Sequence, residues 1–299
     1  MKSLVSASKR FLPWIASCGS RAGFGLVLAL AAGVAAQAQD NYEIQVYGSE
    51  TVAPGTLMVE THSNFSAIGS KPLPGSKYTS EGTYPTNHAE RETLELTQGL
   101  TPWSEVGFYL FTTTNQAEGF QWVGDHIRPR VRAPEKWHWP VGASLSMEFG
   151  YQRARFSPDT WTWEIRPIVD KQMGRWYASV NPAMERSFHG PGVHDGVEFT
   201  PGVQVGYDFT KVVTGNIEYY GAFGKLGDFS PLHDQQHQVF PSVDLNFSKD
   251  WEINLGVGIG ATASTDHLIF KAIIGRRFDW SHRRSQRAAK DDKNGLQAP

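Results

Sequence analysis

Cysteine is almost missing from this chain. Its 299 residues include one, Cys18, inside an amino-terminal stretch with the marks of a removable export signal. Loss of that stretch leaves no disulfide, no thiolate nucleophile and no Cys-based metal motif. Long apolar runs are missing too. After residue 36 nothing approaches the roughly 18 consecutive apolar residues of a transmembrane helix, and helical periodicity is nearly absent. There is no cationic surplus. Residues 1–38 hold four of the 28 basic residues and none of the 30 acidic ones, so the remainder has 24 against 30, a net charge of −6 with histidine neutral. That balance argues against a nucleic-acid partner.

The amino terminus carries Lys2, Lys9, Arg10 and Arg21 before an apolar run, residues 23–36, and the small-residue site Ala36-Gln37-Ala38. This is the order of a cleavable secretory signal, 1–38, with the mature chain starting near Gln39. The run is too short for a membrane anchor. Ile15-Ala16-Ser17-Cys18 resembles a lipoprotein box, but the apolar stretch before it, residues 11–16, is shorter than a signal requires.

What the chain has in quantity is two-residue alternation. In residues 141–152, Val141, Ala143, Leu145, Met147, Phe149 and Tyr151 share one face, while Ser144, Ser146, Glu148 and Gln152 share the other. Repeated at hairpin intervals, this predicts an all-β, antiparallel up-and-down transmembrane β-barrel over residues 56–278, of about 12 strands. The expected strands are 56–65, 88–98, 103–114, 121–132, 141–152, 160–170, 175–185, 197–209, 212–223, 236–247, 250–262 and 266–278. An even number puts both ends of the barrel on the periplasmic side. Short turns at 99–102, 171–174, 210–211 and 248–249 alternate with longer loops at 66–87, 186–196 and 224–235. Trp103, Trp176 and Trp251 follow short turns, and Trp137 and Trp139 lie in another, the place for interfacial indoles.

Pro129, Pro167, Pro182, Pro201 and Pro241 fall inside expected strands. Proline cannot donate to a ladder, so these positions predict bulges or breaks. A soluble periplasmic sandwich is the competing fold. The last strand ends in Gly275-Arg276-Arg277-Phe278. A final strand ending in an aromatic resembles the signal read by the outer-membrane assembly machinery, although here a polar tail, 279–299, follows. Its composition predicts disorder.

Several segments resemble uncharacterised proteobacterial outer-membrane β-barrels, similar to the transporter-like barrels named for the phenol-degradation MetA pathway. They are Glu43-Ile44-Gln45-Val46-Tyr47, Pro54-Gly55 leading into 57–64, Arg91-Glu92-Thr93-Leu94-Glu95, residues 103–111 with Glu105 and Gly107, and residues 250–260. The resemblance implies an outer-membrane protein with a channel or uptake role. It carries over no catalytic or ligand residue.

Alternation also assigns faces. With Ile127, Pro129 and Val131 toward lipid, Arg128, Arg130 and Arg132 point inward. Likewise Glu164 and Arg166 point inward, as do Glu60, Glu105, Glu148, Glu218, Asp244, Glu252 and Lys271. A lipid-facing Arg or Lys at mid-depth costs about 2–4 kcal/mol, which supports the assignment. The hairpin after 141–152 places Glu148 opposite Glu164. Like charges opposed need a cation between them, and Arg128 and Arg166 are the candidates. The lumen thus has an arginine-rich wall and an acidic wall, and a constriction lined this way selects by charge. A paired charge network that simply fills the barrel is the alternative. Gly256, Gly258 and Gly260 make a bare inward stripe with room for another segment. Residues 39–55 are a periplasmic segment or partial plug, and loop 66–87 could also fold in.

No cofactor or metal site is expected. Ser264, Asp266 and His267 gather in one outer loop and His189 and His194 in another, which leaves a barrel hydrolase open. His189, His194, Asp195, His233, Asp234 and His237 match no ligand spacing. The reading is a bacterial outer-membrane channel or uptake protein for a small solute, in contact with membrane lipid and the assembly machinery. A closed barrel with a structural or envelope-contact role is the alternative.

Overall fold

The computed structural model describes residues 42–279, apart from residues 80, 81 and 117. The expected signal peptide, and all but Asp279 of the expected tail, lie outside the described residues.

The alternating segments form twelve long strands: β1 (Thr56–Ile68), β2 (Ala89–Thr101), β3 (Ser104–Asn115), β4 (Gly119–Arg132), β5 (Gly142–Gln152) and β6 (Trp161–Met173). Then follow β7 (Trp176–His189), β8 (Glu198–Asp208), β9 (Val213–Ala222), β10 (Gln236–Leu245), β11 (Trp251–Gly260) and β12 (Leu268–Asp279). Each pairs antiparallel with its chain neighbours. β1 also pairs with β12, from Thr56 opposite Asp279 to Ile68 opposite Leu268. The sheet therefore closes into an up-and-down barrel with no free edge among the long strands. A two-residue ladder, Gly224–Lys225 with Asp228–Phe229, extends β8 beyond the wall. β7 runs past the expected end at 185 because Arg186 still pairs with Trp163, and His189 with Trp161.

The wall is inverted relative to a soluble protein. Glu60, His62, Asn64, Glu95, Arg128 and Glu218 are buried, whereas Phe108, Ile127, Phe149, Ile217, Leu255 and Ile274 are exposed. Contiguous apolar exteriors are not left to water. A polar interior with an apolar exterior is the pattern of a barrel in lipid, and it replaces the sandwich alternative. The connections after β2, β6, β8 and β10 are short, and Gly174 takes the left-handed φ of +66° that the tight β6–β7 turn needs. Trp103, Trp137, Trp139, Trp176 and Trp251 are all exposed at this short-turn end.

The prolines neither break the strands nor mark the bulges. Register shifts occur at Ser66/Ile68, Gly99/Thr101, Phe111/Thr112 and Trp161/Thr162. Pro129 stays paired opposite Val106, and Pro241 opposite Ile217. Between Ile165–Met184 and Val169–Val180 the β6–β7 ladder lapses without changing register, so Pro167 stands opposite Pro182, which in turn faces Pro201. Three of the five missing donors thereby share one row of the wall, while the ladder also lapses at Arg128–Pro129 between β4 and β5 and at Phe240–Pro241 between β10 and β11, again without a change of register.

The glycine stripe of β11 is not empty. A Cβ on Gly258 would collide with the Phe240 ring, and one on Gly256 would sit 2.9 Å from Lys271 Cε. Phe240 is fully buried and packs with Ile44, Val46, Tyr220 and Ile269. Gly258→Ala should therefore destabilise the barrel by about 1–3 kcal/mol through overpacking. Urea unfolding in lipid vesicles, against wild type, measures it.

Candidate functional site: a chain segment inside a charged lumen

Residues 42–53 precede β1 and belong to no strand. Tyr42, Glu43, Ile44, Val46, Tyr47 and Ser49 are nevertheless buried. The segment lies inside the barrel, and an extended chain there must find partners for its backbone. The lumen wall supplies them. Asn64 Nδ2 and Thr93 Oγ1 donate to the Tyr42 carbonyl at 3.2 and 2.8 Å. Lys271 Nζ donates to the Ile44 carbonyl at 3.0 Å. Asn181 pairs with both main-chain groups of Tyr47, accepting from its N–H at 2.8 Å and donating to its carbonyl at 3.0 Å. Ser179 Oγ adds a bond to the same carbonyl at 2.7 Å. Arg130 donates to the carbonyls of Gly48 and Glu50 at 3.2 and 2.6 Å. Asp170 accepts from Ser49 N and Oγ, both at 2.7 Å, and Glu105 accepts from Val52 N at 2.6 Å. These contacts come from β1, β2, β3, β4, β6, β7 and β12, around most of the wall.

The Tyr47 ring sits among three guanidiniums. The Cζ atoms of Arg128, Arg166 and Arg130 lie 4.9, 5.0 and 5.7 Å from its centroid. Its hydroxyl is 3.2 Å from that of Tyr109. Cation–π attraction is strongest where the cation is desolvated, and Arg128, Arg130 and Arg166 are all buried. Their carboxylates stand outside the ring. Arg128 Nη2 is 2.5 Å from Glu95, Arg130 Nη2 is 2.7 Å from Glu105, and Arg166 holds Glu164 through Nε and Nη2 at 2.7 and 2.9 Å. His62 flanks Glu95 at 3.4 Å.

Glu148 does stand directly opposite Glu164. The cation between them is not Arg128. Arg166 takes Glu164, and His126 pairs with Glu148. Arg128 instead reaches Glu95 two strands away, because Gly107 on the intervening β3 has no side chain: a Cβ there would stand 3.3 Å from the Arg128 guanidinium. Arg132 lies half-buried at the short-turn end, 3.5 Å from Glu135, away from the Tyr47 cluster. On the other wall Glu218 receives Lys271 Nζ at 2.5 Å and the hydroxyls of Tyr220 and Ser242. Asp244 accepts from Asn216 and Asn254 at 2.8 and 2.6 Å. Glu252 pairs with Arg277 at 2.9 Å and receives Gln45 Nε2 at 3.4 Å.

Sequence reasoning placed Tyr47 in the possible plug but missed its arginine partners, and it missed Tyr109, Glu95, Asp170, Ser179 and Asn181 as parts of this site. Glu95 and Asp170 were readable by alternation; the uncharged residues carry no such signal. It also missed that Glu148, Glu164, Glu185 and Glu198 stand in register across β5 to β8.

A cavity of about 1200 Å³ opens below Tyr47 at the short-turn end, lined in part by Arg130, Arg132, Glu60 and Glu252. A second, of about 570 Å³, lies against Gln204, Asp244 and Asn254. Beside Tyr42 and Glu43, the space between His126, Glu164 and Glu185 shrinks to about 40 Å³. Above it the long-loop end is knitted together. Asp266 is held by Ser66 at 2.8 Å, by Thr86, and by Arg91 at 3.5 Å. Ser264 donates to the His233 carbonyl at 3.0 Å, and His189 is 2.8 Å from Thr160. The outer-loop residues thus serve loop contacts, and no group of three or more metal-ligating side chains occurs among the described residues.

The fold and this interior define a twelve-stranded transmembrane-type β-barrel with a chain segment in its lumen. No family profile and no curated protein matches the sequence. Among solved structures, the COG4313 outer membrane channel from Pseudomonas putida F1 is similar in fold, with a TM-score of 0.52 at 9% identity, covering 79% of this chain and 100% of that one. A structure titled KdgM porin aligns with a TM-score of 0.47 at 9% identity over 74% of this chain and 99% of its own.

Asn181→Ala removes both side-chain bonds to Tyr47 and should weaken docking of the segment by about 1–3 kcal/mol. Maleimide labelling of a reporter, Gln45→Cys, should then be faster than in the Asn181 parent.

Proposed function

We propose that the chain is an outer-membrane channel or uptake protein for a small solute, held shut by residues 42–53 acting as a plug. The observation that carries this reading is the bonding of that segment to the lumen wall at the level of Arg128, Arg130 and Arg166. Cleavage of residues 1–38 during export is part of the same proposal, as is membrane assembly through the strand containing Phe278. The barrel would sit with the short-turn end toward the periplasm, so the 1200 Å³ cavity is the inner vestibule. The likeness to the phenol-degradation MetA-pathway barrels fits this placement and names no permeant.

The arginine wall and the acidic wall give the proposed constriction a transverse field. In a low-dielectric lumen such a field sorts permeants by charge and dipole. Tyr47 covers the arginine side with a neutral ring, so its removal uncovers three guanidiniums without removing a carboxylate.

The second reading is a closed barrel with an envelope-contact role, and the density of paired charge favours it. Single-channel conductance in planar bilayers separates the two. Wild type should show rare or small openings, and deletion of residues 42–53 should give stable, larger steps. Tyr47→Ala should also raise conductance and move the permeability ratio toward anions, and adding Arg128→Gln should reverse that move. Silence from a folded, heat-modifiable deletion variant would overturn the channel reading.

A further inference from the structure

Two neighbouring arginines on β12 have opposite fates. Arg277 turns inward, donating to Glu252 at 2.9 Å and to the Lys249 carbonyl at 3.2 Å. Arg276 turns outward between Ile274 and Phe278, on the face that carries the apolar exterior. It stands directly opposite Trp251 on β11 and Val59 on β1, beside the seam where the barrel closes. Its guanidinium lies over two rings, 5.2 Å from the Trp251 centroid and 5.1 Å from that of Phe278. Among the described residues no carboxylate or carbonyl accepts a hydrogen bond from it.

Arg175 shows what the protein does when it intends to satisfy such a group itself. At the same short-turn end, Arg175 lies over Tyr207 at 4.9 Å, and its Nε donates to the Asp208 carbonyl at 2.6 Å while Nη2 donates to the Phe209 carbonyl. Arg276 has the aromatic support and lacks the acceptors. Aromatic rings offer a guanidinium no oxygen acceptor, so its N–H donors stay free, and a guanidinium edge is shaped for bidentate phosphate. The depth is that of the indole belt, where phospholipid headgroups meet the wall.

We propose that Arg276, Trp251 and Phe278 form a binding site for the phosphate of a membrane phospholipid at the β11–β12–β1 seam. The guanidinium edge takes the phosphodiester, and the two rings lie along the upper acyl chains. The proposal rests on the reading of the outer face as lipid-facing.

The test is native mass spectrometry of full-length mature protein released from detergent micelles after incubation with phosphatidylglycerol, a phosphate-free diacyl glycolipid, or inorganic phosphate. Wild type should retain a one-to-one phosphatidylglycerol adduct that Arg276→Gln reduces several-fold and Arg276→Lys reduces less. Arg175→Gln should leave the adduct unchanged. Equal adducts in wild type and Arg276→Gln would overturn the proposal, as would an equal loss in Arg175→Gln. Displacement of the lipid by inorganic phosphate would show a free-anion site and overturn the lipid assignment. Binding of neither phosphatidylglycerol nor glycolipid would instead overturn the lipid-facing reading on which the site rests. Heat-modifiable mobility of each variant establishes that it is folded.

Discussion

Where the lumen is packed around residues 42–53, the charges that the strands turn inward are buried, and a buried charge or peptide group needs a partner. An extended chain inside the same lumen has the complementary need, since its N–H and carbonyl groups have no sheet to join. In this protein the two needs meet each other. Arg130 satisfies the carbonyls of Gly48 and Glu50, Lys271 that of Ile44, while Asp170 and Glu105 take the N–H groups of Ser49 and Val52. Remove the segment, and cations placed to bond a main chain are left facing empty space. Remove the charges, and the segment keeps only the bonds from Asn64, Thr93, Ser179 and Asn181 and the packing of Ile44 and Val46. The remaining features of the site, including the position of Tyr47, follow from this mutual dependence.

The wall shows a parallel economy. Proline costs a ladder donor wherever it falls, yet Pro167, Pro182 and Pro201 stand side by side across β6, β7 and β8. Placing these three in one row groups their lost bonds in one short stretch with the same register on either side, while the ladders beside Pro129 and Pro241 lapse separately. Glycine acts the other way, toward the lumen. Gly107 lets Arg128 pass over β3 to Glu95, and Gly258 leaves room on β11 for the end of the Phe240 ring, which packs with Ile44 and Val46.

These particulars explain what could be read from sequence. The strands were readable because inward positions are mostly polar and outward ones mostly apolar over ten or more residues, despite inward exceptions such as Phe240 and Ile269. That rule alone places Glu148 opposite Glu164 and turns Arg128 and Arg130 inward. It stops at the first partner, because alternation describes one strand and its neighbour. Arg128 binds across two strands, and only the absence of a side chain at Gly107 permits it. Asn181 and Ser179 are uncharged, and their role exists only because Tyr47 comes from far away in the chain. Residues 39–55 could be suspected as a partial plug, but the backbone hydrogen bonds of residues 42–53 depend on seven strands brought together by closure.

The two charged walls constrain how such a lumen opens, if the proposed plug is a gate. Tyr47 leans on Arg128, Arg130 and Arg166, while the Ile44 carbonyl is bonded to Lys271, which is itself bound to Glu218. The segment is thus tied to both sides. Movement away from one side leaves the other set of bonds in place, so partial release keeps part of the cost and gains little space. Full release uncovers guanidiniums together with the Asp170 and Glu105 carboxylates on one side and shifts Lys271 entirely onto Glu218 on the other. The open state therefore presents groups of both signs to the pathway, guanidiniums that keep Glu95, Glu105 and Glu164 beside them and the Asp170 and Glu105 oxygens that bonded the segment. If that segment is a gate, a solute carrying both hydrogen-bond acceptors and donors is the one that replaces the bonds it gives up, so the interactions that keep the lumen closed also bear on the chemistry suited to opening it.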